Sequence, residues 1–166
     1  MRALWISIVL ALFTSGLTVI ARDLRLCSPD GRFCAVYHYS DAEPDLIASI
    51  SFVDFAGRPL FTDDYSQRDY RPEKGQWTRS SRFFVYSLCS RGGHSPWHKP
   101  FVVADMQTRR CTPEPDIGEG DCISEFHLSD SDTISYNVLD RSKDSWDFGI
   151  PGIPRRFSLS AKLSHE

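Results

Sequence analysis

Past residue 22 this chain lacks any sustained run of apolar residues at the 3.6-residue helical spacing, and it has no convincing helix start or stop. The mature part therefore reads as mainly β. Excess positive charge is missing too: 19 bases face 22 acids, for a net charge of −3. Without a basic surplus there is no electrostatic case for a nucleic-acid partner. Lysine is scarce, four against fifteen arginines, which reads as compositional bias before any phosphate-binding device. Familiar catalytic signatures are also absent. The chain has no Gly-x-Ser-x-Gly elbow, no His-Glu-x-x-His and no glycine loop to cradle a phosphate.

What is present begins at the N-terminus. The apolar run from Ala3 to Ile20, opened by Arg2 and closed by Val19-Ile20-Ala21, reads as a signal peptide over residues 1–21, cut before Arg22. An uncleaved membrane anchor is the rival, because a run of this length nearly spans a bilayer. Against it, Ser7, Thr14, Ser15, Gly16 and Thr18 dilute the run, and Arg22 and Arg25 oppose an inside-facing N-terminus. A lipid anchor fits worse, since Leu26 rather than a small residue precedes Cys27. Cleavage leaves residues 22–166, the size of one β-rich domain, touching the membrane only transiently and carrying a charge of −4 once Arg2 is lost. The expected location is periplasmic or secreted, where cysteines are read first as disulfide formers.

Short Val/Ile/Phe/Tyr-rich runs between Gly, Pro, Asp and Ser mark strands at Leu24–Cys27, Phe33–Tyr39, Ile47–Asp54, Pro59–Thr62, Arg82–Cys89, Phe101–Met106, Ile123–Leu128, Thr133–Leu139 and Arg156–Leu163. Two longer polar stretches, Thr62–Gln76 and Asp140–Pro154, read as disordered or functional loops. Ser28-Pro29-Asp30-Gly31 has Pro and Gly placed for a tight turn. The segment Ser28–Tyr37 aligns with Thr78–Tyr86 and, more loosely, with Ser129–Tyr136, a period of about fifty residues. This polar-turn-then-strand unit resembles the blade of Tol-type and WD-repeat β-propellers, through Ser28–Arg32 above all. Three units fall short of the ~4 blades a closed propeller needs. The expected fold is a single antiparallel β-sandwich or curved β-meander, stapled by disulfides, with an incomplete propeller-like repeat as the alternative. No propeller function follows.

Cys27 and Cys34 fall opposite each other across the first hairpin and are expected to bond. Cys111 and Cys122 flank an acidic segment and are expected to form a second bridge, leaving Cys89 buried at a strand end or free to pair with another molecule. Gly92-Gly93-His94-Ser95-Pro96-Trp97-His98 places two histidines four apart, but Pro96 argues against the helix that would aim both at a metal. Further ligands exist in His38, His127, Asp116, Glu119 and Asp121, with nothing in the sequence to gather them. Glu114–Asp121 lacks the alternating order of a calcium loop and reads as a solvated turn.

Large aromatics beside Arg and Asp are the usual anchors of protein or glycan recognition. The expected binding residues are Tyr65, Tyr70, Arg71, His94, Trp97, His98 and Trp146, with no catalytic residue, no resident metal and no cofactor. The resulting expectation is a non-enzymatic secreted or periplasmic binding protein, an inhibitor or immunity partner or a member of an envelope complex. The alternative is a metal-dependent enzyme built on the His94/His98 loop.

Overall fold

The computed structural model describes residues 23–90, 98–114, 121–140 and 152–163. Among these residues eleven strands form three antiparallel sheets, each a meander in which neighbours in sequence pair. The first holds β1 (Leu24–Cys27), β2 (Phe33–Tyr39), β3 (Ile47–Asp54) and β4 (Pro59–Asp64). The second holds β5 (Tyr70–Trp77), β6 (Phe83–Ser90), β7 (Phe101–Asp105) and β8 (Arg110–Pro113). In the third, β10 (Thr133–Val138) lies between β9 (His127–Leu128) and β11 (Ile153–Ser158), and a short helix α1 (Leu159–Leu163) follows. The chain is thus mainly β, and the curved meander expected from the strand–turn–strand pattern occurs three times over.

The second sheet is the middle layer, and its sequence shows why. Along β6 the even positions Phe84, Tyr86 and Leu88 face a core shared with Tyr37, Ile50 and Phe52 of the first sheet. The odd positions Phe83 and Val85 face a second core with Ile134, Tyr136 and Val138 of the third sheet and Leu159 and Leu163 of α1. A strand buried on both faces needs apolar side chains at both parities, and both β6 and β7 supply them. Each fully buried Phe, Ile or Val contributes about 2 kcal/mol.

The fifty-residue period appears as equivalent turns. Ser28 N–H donates to Phe33 O at 2.8 Å and Thr78 N–H donates to Phe83 O at 2.9 Å, while Ser129 N–H donates to Thr133 O at 2.9 Å. Gly31, Ser81 and Asp132 take the positive-φ position at 72°, 64° and 54°. Each turn also holds the next one. Asp30 N–H donates to Ser81 Oγ at 3.2 Å, Ser80 N–H donates to Asp132 Oδ1 at 3.4 Å, and Arg79 pairs with Asp130 at 3.2 Å. The sheets are therefore stitched together at one end.

Four elements differ from expectation. β5 falls almost wholly within Thr62–Gln76, a stretch rich in Asp, Arg and Tyr that reads as a polar loop; it is an edge strand with a register shift between Pro72 and Gly75, where proline is tolerated. β8, the opposite edge, is only four residues long and also contains a proline. The strand expected over Ile123–Leu128 shrinks to His127–Leu128, with an isolated bridge from Cys122 to Val138. The last expected strand ends at Ser158, and Leu159 and Leu163, one helical turn apart, instead insert into the second core.

The expected Cys27–Cys34 bond is formed between directly paired residues of β1 and β2. The expected Cys111–Cys122 bridge is not. Cys111 pairs with Ala104 and packs against the first core, whereas Cys122 is in the second, so the middle sheet stands between the two thiols. Burial pushes both thiols up to about 12.

Candidate functional site

Antiparallel pairing in the middle sheet brings the start of β5, the end of β6, the start of β7 and the end of β8 to the end opposite the stitched turns. Tyr70 opens β5 opposite Ser90, and Arg71 is opposite Cys89. His98 approaches from the segment before β7. Its Nδ1 is 3.3 Å from Tyr70 Oη, and the rings meet edge to face with centroids 6.0 Å apart. Arg71 Nε donates to Cys89 Sγ at 3.2 Å, and the half-buried thiol is raised above its ordinary range, by burial above all. Of the expected binding residues, the structure thus gathers Tyr70, Arg71 and His98. His94, Trp97 and Trp146 lie outside the described residues.

Tyr65 is not part of this site. It is fully buried, because the alternation that turns Phe61 and Asp63 inward from β4 continues one residue past the strand's end. Its Oη donates to Asp63 Oδ2 at 2.8 Å, and Tyr86 Oη donates to the same oxygen at 2.5 Å. Arg68 closes the cluster, 2.8 Å from Asp63 Oδ1 and with its guanidinium 4.6 Å from the Tyr65 ring centroid. Burial raises both phenols well above their usual range. The cluster is a buried linkage between the first and second sheets, and it corrects the reading of Tyr65 as a recognition aromatic.

Two acids bear on this end: Asp121, which the sequence offered only as a candidate metal ligand, and Glu114, which it did not single out individually. Lys99 N–H donates to Cys122 O at 2.8 Å, which holds the chain after residue 120 beside the segment carrying His98. Burial lowers the affinity of His98 for a proton, and the charge of Asp121 works in the other direction. Glu114, just past β8, is 0% exposed, and neither carboxyl oxygen has a hydrogen-bond partner. Burial, and then Asp121, raises it from 4.5 to about 7. Read as part of a solvated acidic turn, Glu114 carried no sequence signal of burial; its strand is short, polar and ends in Pro113.

This end therefore presents an imidazole against a phenol and a guanidinium beside a thiol, while the Glu114 carboxyl, raised to about 7, stays fully buried. Such groups can exchange hydrogen bonds with a ligand and offer an aromatic edge for packing. Among the described residues no group of three or more His, Cys, Asp and Glu side chains is placed to hold a metal ion.

The class of protein so defined is an open stack of three antiparallel meander sheets with a polar, aromatic cluster at one end of the middle sheet. No protein-family model matches the chain, and no curated protein matches it. Among solved structures it is similar to an oligogalacturonate lyase in complex with manganese, at 13% identity and a TM-score of 0.44. The match covers 81% of this chain and 32% of that one, so this chain spans about a third of that protein's length. At this level the likeness bears on neither activity nor ligand.

Proposed function

We propose that this chain is a secreted or periplasmic binding protein whose partner is another protein or a glycan, in the manner of an inhibitor, an immunity partner or a member of an envelope complex. The observation that carries this reading is the convergence of Tyr70, Arg71 and His98 on one end of the middle sheet, with Tyr70 and His98 in direct contact. Tyr and Arg are the side chains most used as interface anchors, and both here are half-buried at a strand end, where Tyr70 also packs against the first core. Trp97, next to His98 in sequence, and Trp146 extend the same reading. The Cys27–Cys34 bond suits an oxidising compartment.

The test is affinity capture from an envelope extract, with the wild-type chain compared with Tyr70→Ala, His98→Ala, Trp97→Ala and Trp146→Ala variants of matched thermal stability. A partner retained by the wild type should be lost or weakened at least tenfold by Tyr70→Ala or His98→Ala. Equal retention by every variant removes the site.

One observation favours the second reading, a metal-dependent enzyme built on His94 and His98. The charge of Asp121, from the acidic segment, acts on His98. Elemental analysis of untagged protein decides it: stoichiometric metal supports this reading, and metal-free protein that still captures its partner rejects it.

A further inference from the structure

The outward face of the first sheet holds a second group of polar side chains that neither core nor the Tyr70–His98 end uses. Asp23, just before β1, places Oδ1 3.5 Å from His38 Nδ1 on β2. His38 Nε2 is 2.9 Å from Ser51 Oγ on β3, and Ser51 Oγ is 3.0 Å from Thr62 Oγ1 on β4. The register explains the alignment: Ala35, Tyr37, Ile50 and Phe52 point into the first core, so His38 and Ser51 point away from it, and Ser51 pairs directly with Thr62. Arg25 is in the same cross-strand row, beyond Val36, and is exposed. We infer that Ser51 is a nucleophile toward unhindered carboxylic esters, with His38 as its base and Asp23 as the residue that positions the imidazole.

Reactivity here depends on which ring nitrogen faces which partner. A serine hydroxyl needs an adjacent base to become nucleophilic, and the base in turn needs a group that fixes its tautomer. A carboxylate facing Nδ1 favours the proton on that nitrogen, leaving the Nε2 lone pair toward the Ser51 hydroxyl. The His38 and Asp23 side chains are 39% and 44% exposed, so a small substrate can reach the group. In acylation the Ser51 Oγ–carbon bond forms as the hydroxyl proton passes to His38 Nε2 and the carbonyl electron pair moves onto oxygen. Collapse of that adduct breaks the carbon–alkoxy bond, and Nε2 returns its proton to the departing alcohol. Water then repeats the sequence on the acyl group, releasing a carboxylic acid and restoring Ser51.

Backbone N–H groups of β2 and β3 are engaged in the ladders, so the Thr62 hydroxyl is the neighbouring donor for the developing oxyanion, with Arg25 adding positive potential. A single hydroxyl donor predicts slow turnover confined to activated esters. The sequence hides this group because its members lie on four separate strands or strand ends.

The experiment treats the purified full chain with a fluorophosphonate probe and, separately, with p-nitrophenyl acetate. The expected result is one covalent adduct mapped by mass spectrometry to the peptide containing Ser51. Ser51→Ala should remove both the label and ester hydrolysis, and His38→Gln should slow labelling about a hundredfold. Asp23→Asn should lower kcat with KM held, and Asp23→Glu should recover part of the loss. An unlabelled wild type, an adduct on another residue, or hydrolysis that persists in Ser51→Ala overturns the inference. Adduct mapping uses the unmutated chain, so it stands even if a variant unfolds. Ser51→Ala leaves Tyr70 and His98 in place, so partner capture and esterase activity fail or survive separately.

Discussion

Replacing Glu114 by glutamine isolates the clearest physical conflict in this molecule, a fully buried carboxyl group with neither oxygen partnered. In the unfolded chain such a group titrates at its ordinary 4.5, whereas in the folded chain it titrates at about 7. Between those values the folded state binds more protons than the unfolded state, so stability falls as pH rises through that window and levels off above it. The interval corresponds to about 3 kcal/mol, an upper figure that local water entry reduces. Glutamine keeps the shape and still buries polar atoms, at a cost of about 1–3 kcal/mol that does not vary with pH. The wild type should therefore equal or exceed Glu114→Gln near pH 5, and the variant should gain by up to ~3 kcal/mol by pH 8.5. His98 contributes in the opposite sense: its folded-state proton affinity is lowered by burial, so its stabilisation is lost as pH falls below the ordinary histidine range. That contribution is common to both proteins and cancels in the comparison. Urea unfolding followed by tryptophan fluorescence from pH 5 to 8.5 measures it, and stability curves that stay parallel across the range refute the reasoning.

Other expectations follow from the packing. Gly75→Ala places a methyl group against the Phe84 ring and the Tyr37 hydroxyl inside the first core, and should cost about 1–3 kcal/mol in urea midpoints. Tyr65→Phe and Tyr86→Phe each remove one donor to Asp63 and should cost about 1.5–3 kcal/mol apiece; in a double-mutant cycle their effects should be non-additive because the two phenols share one oxygen. Thiol titration in denaturant without reductant should find three reactive thiols per chain, those of Cys89, Cys111 and Cys122. Replacing Cys27 and Cys34 together by serine should lower stability by about 2 kcal/mol, since the bond closes a sequence separation of only 7.

The sequence announced those parts of the fold where alternation and turn chemistry agree. β1, β2 and β3 occur over the residues expected, because Ser28-Pro29-Asp30-Gly31 marks the hairpin and Ile50 and Phe52 alternate with Ser49 and Ser51. β5 and β8 were hidden because edge strands need neither alternation nor freedom from proline. Tyr65 was misplaced for a related reason: the inward parity of β4 outlasts its ladder, and composition alone makes Asp64-Tyr65-Ser66 look like a surface turn. The Cys111–Cys122 reading failed on parity as well, since closeness in sequence says nothing about which face of an intervening sheet each thiol occupies. Tyr70, Arg71 and His98 were legible as polar and aromatic residues between apolar runs, while Glu114 and the Asp23–His38–Ser51 alignment depend on register between strands.

The repeat also explains how the three described sheets hold to one another. The middle sheet is apolar on both faces and must be covered twice, by the first sheet through Tyr37, Ile50 and Phe52 and by the third through Ile134, Tyr136 and Val138. The flanking sheets carry polar side chains at the alternate positions, His38, Ser51 and Thr62 on one and Thr133, Ser135 and Asn137 on the other. The turn-to-turn hydrogen bonds from Asp30 to Ser81 and from Ser80 to Asp132 fix the sheets relative to one another at one end. The opposite end is thereby free to hold groups that contribute little to stability or oppose it, Glu114 first among them. A strained or unsatisfied site persists only where the surrounding structure over-determines it, and here that support comes from the two cores and the far turns.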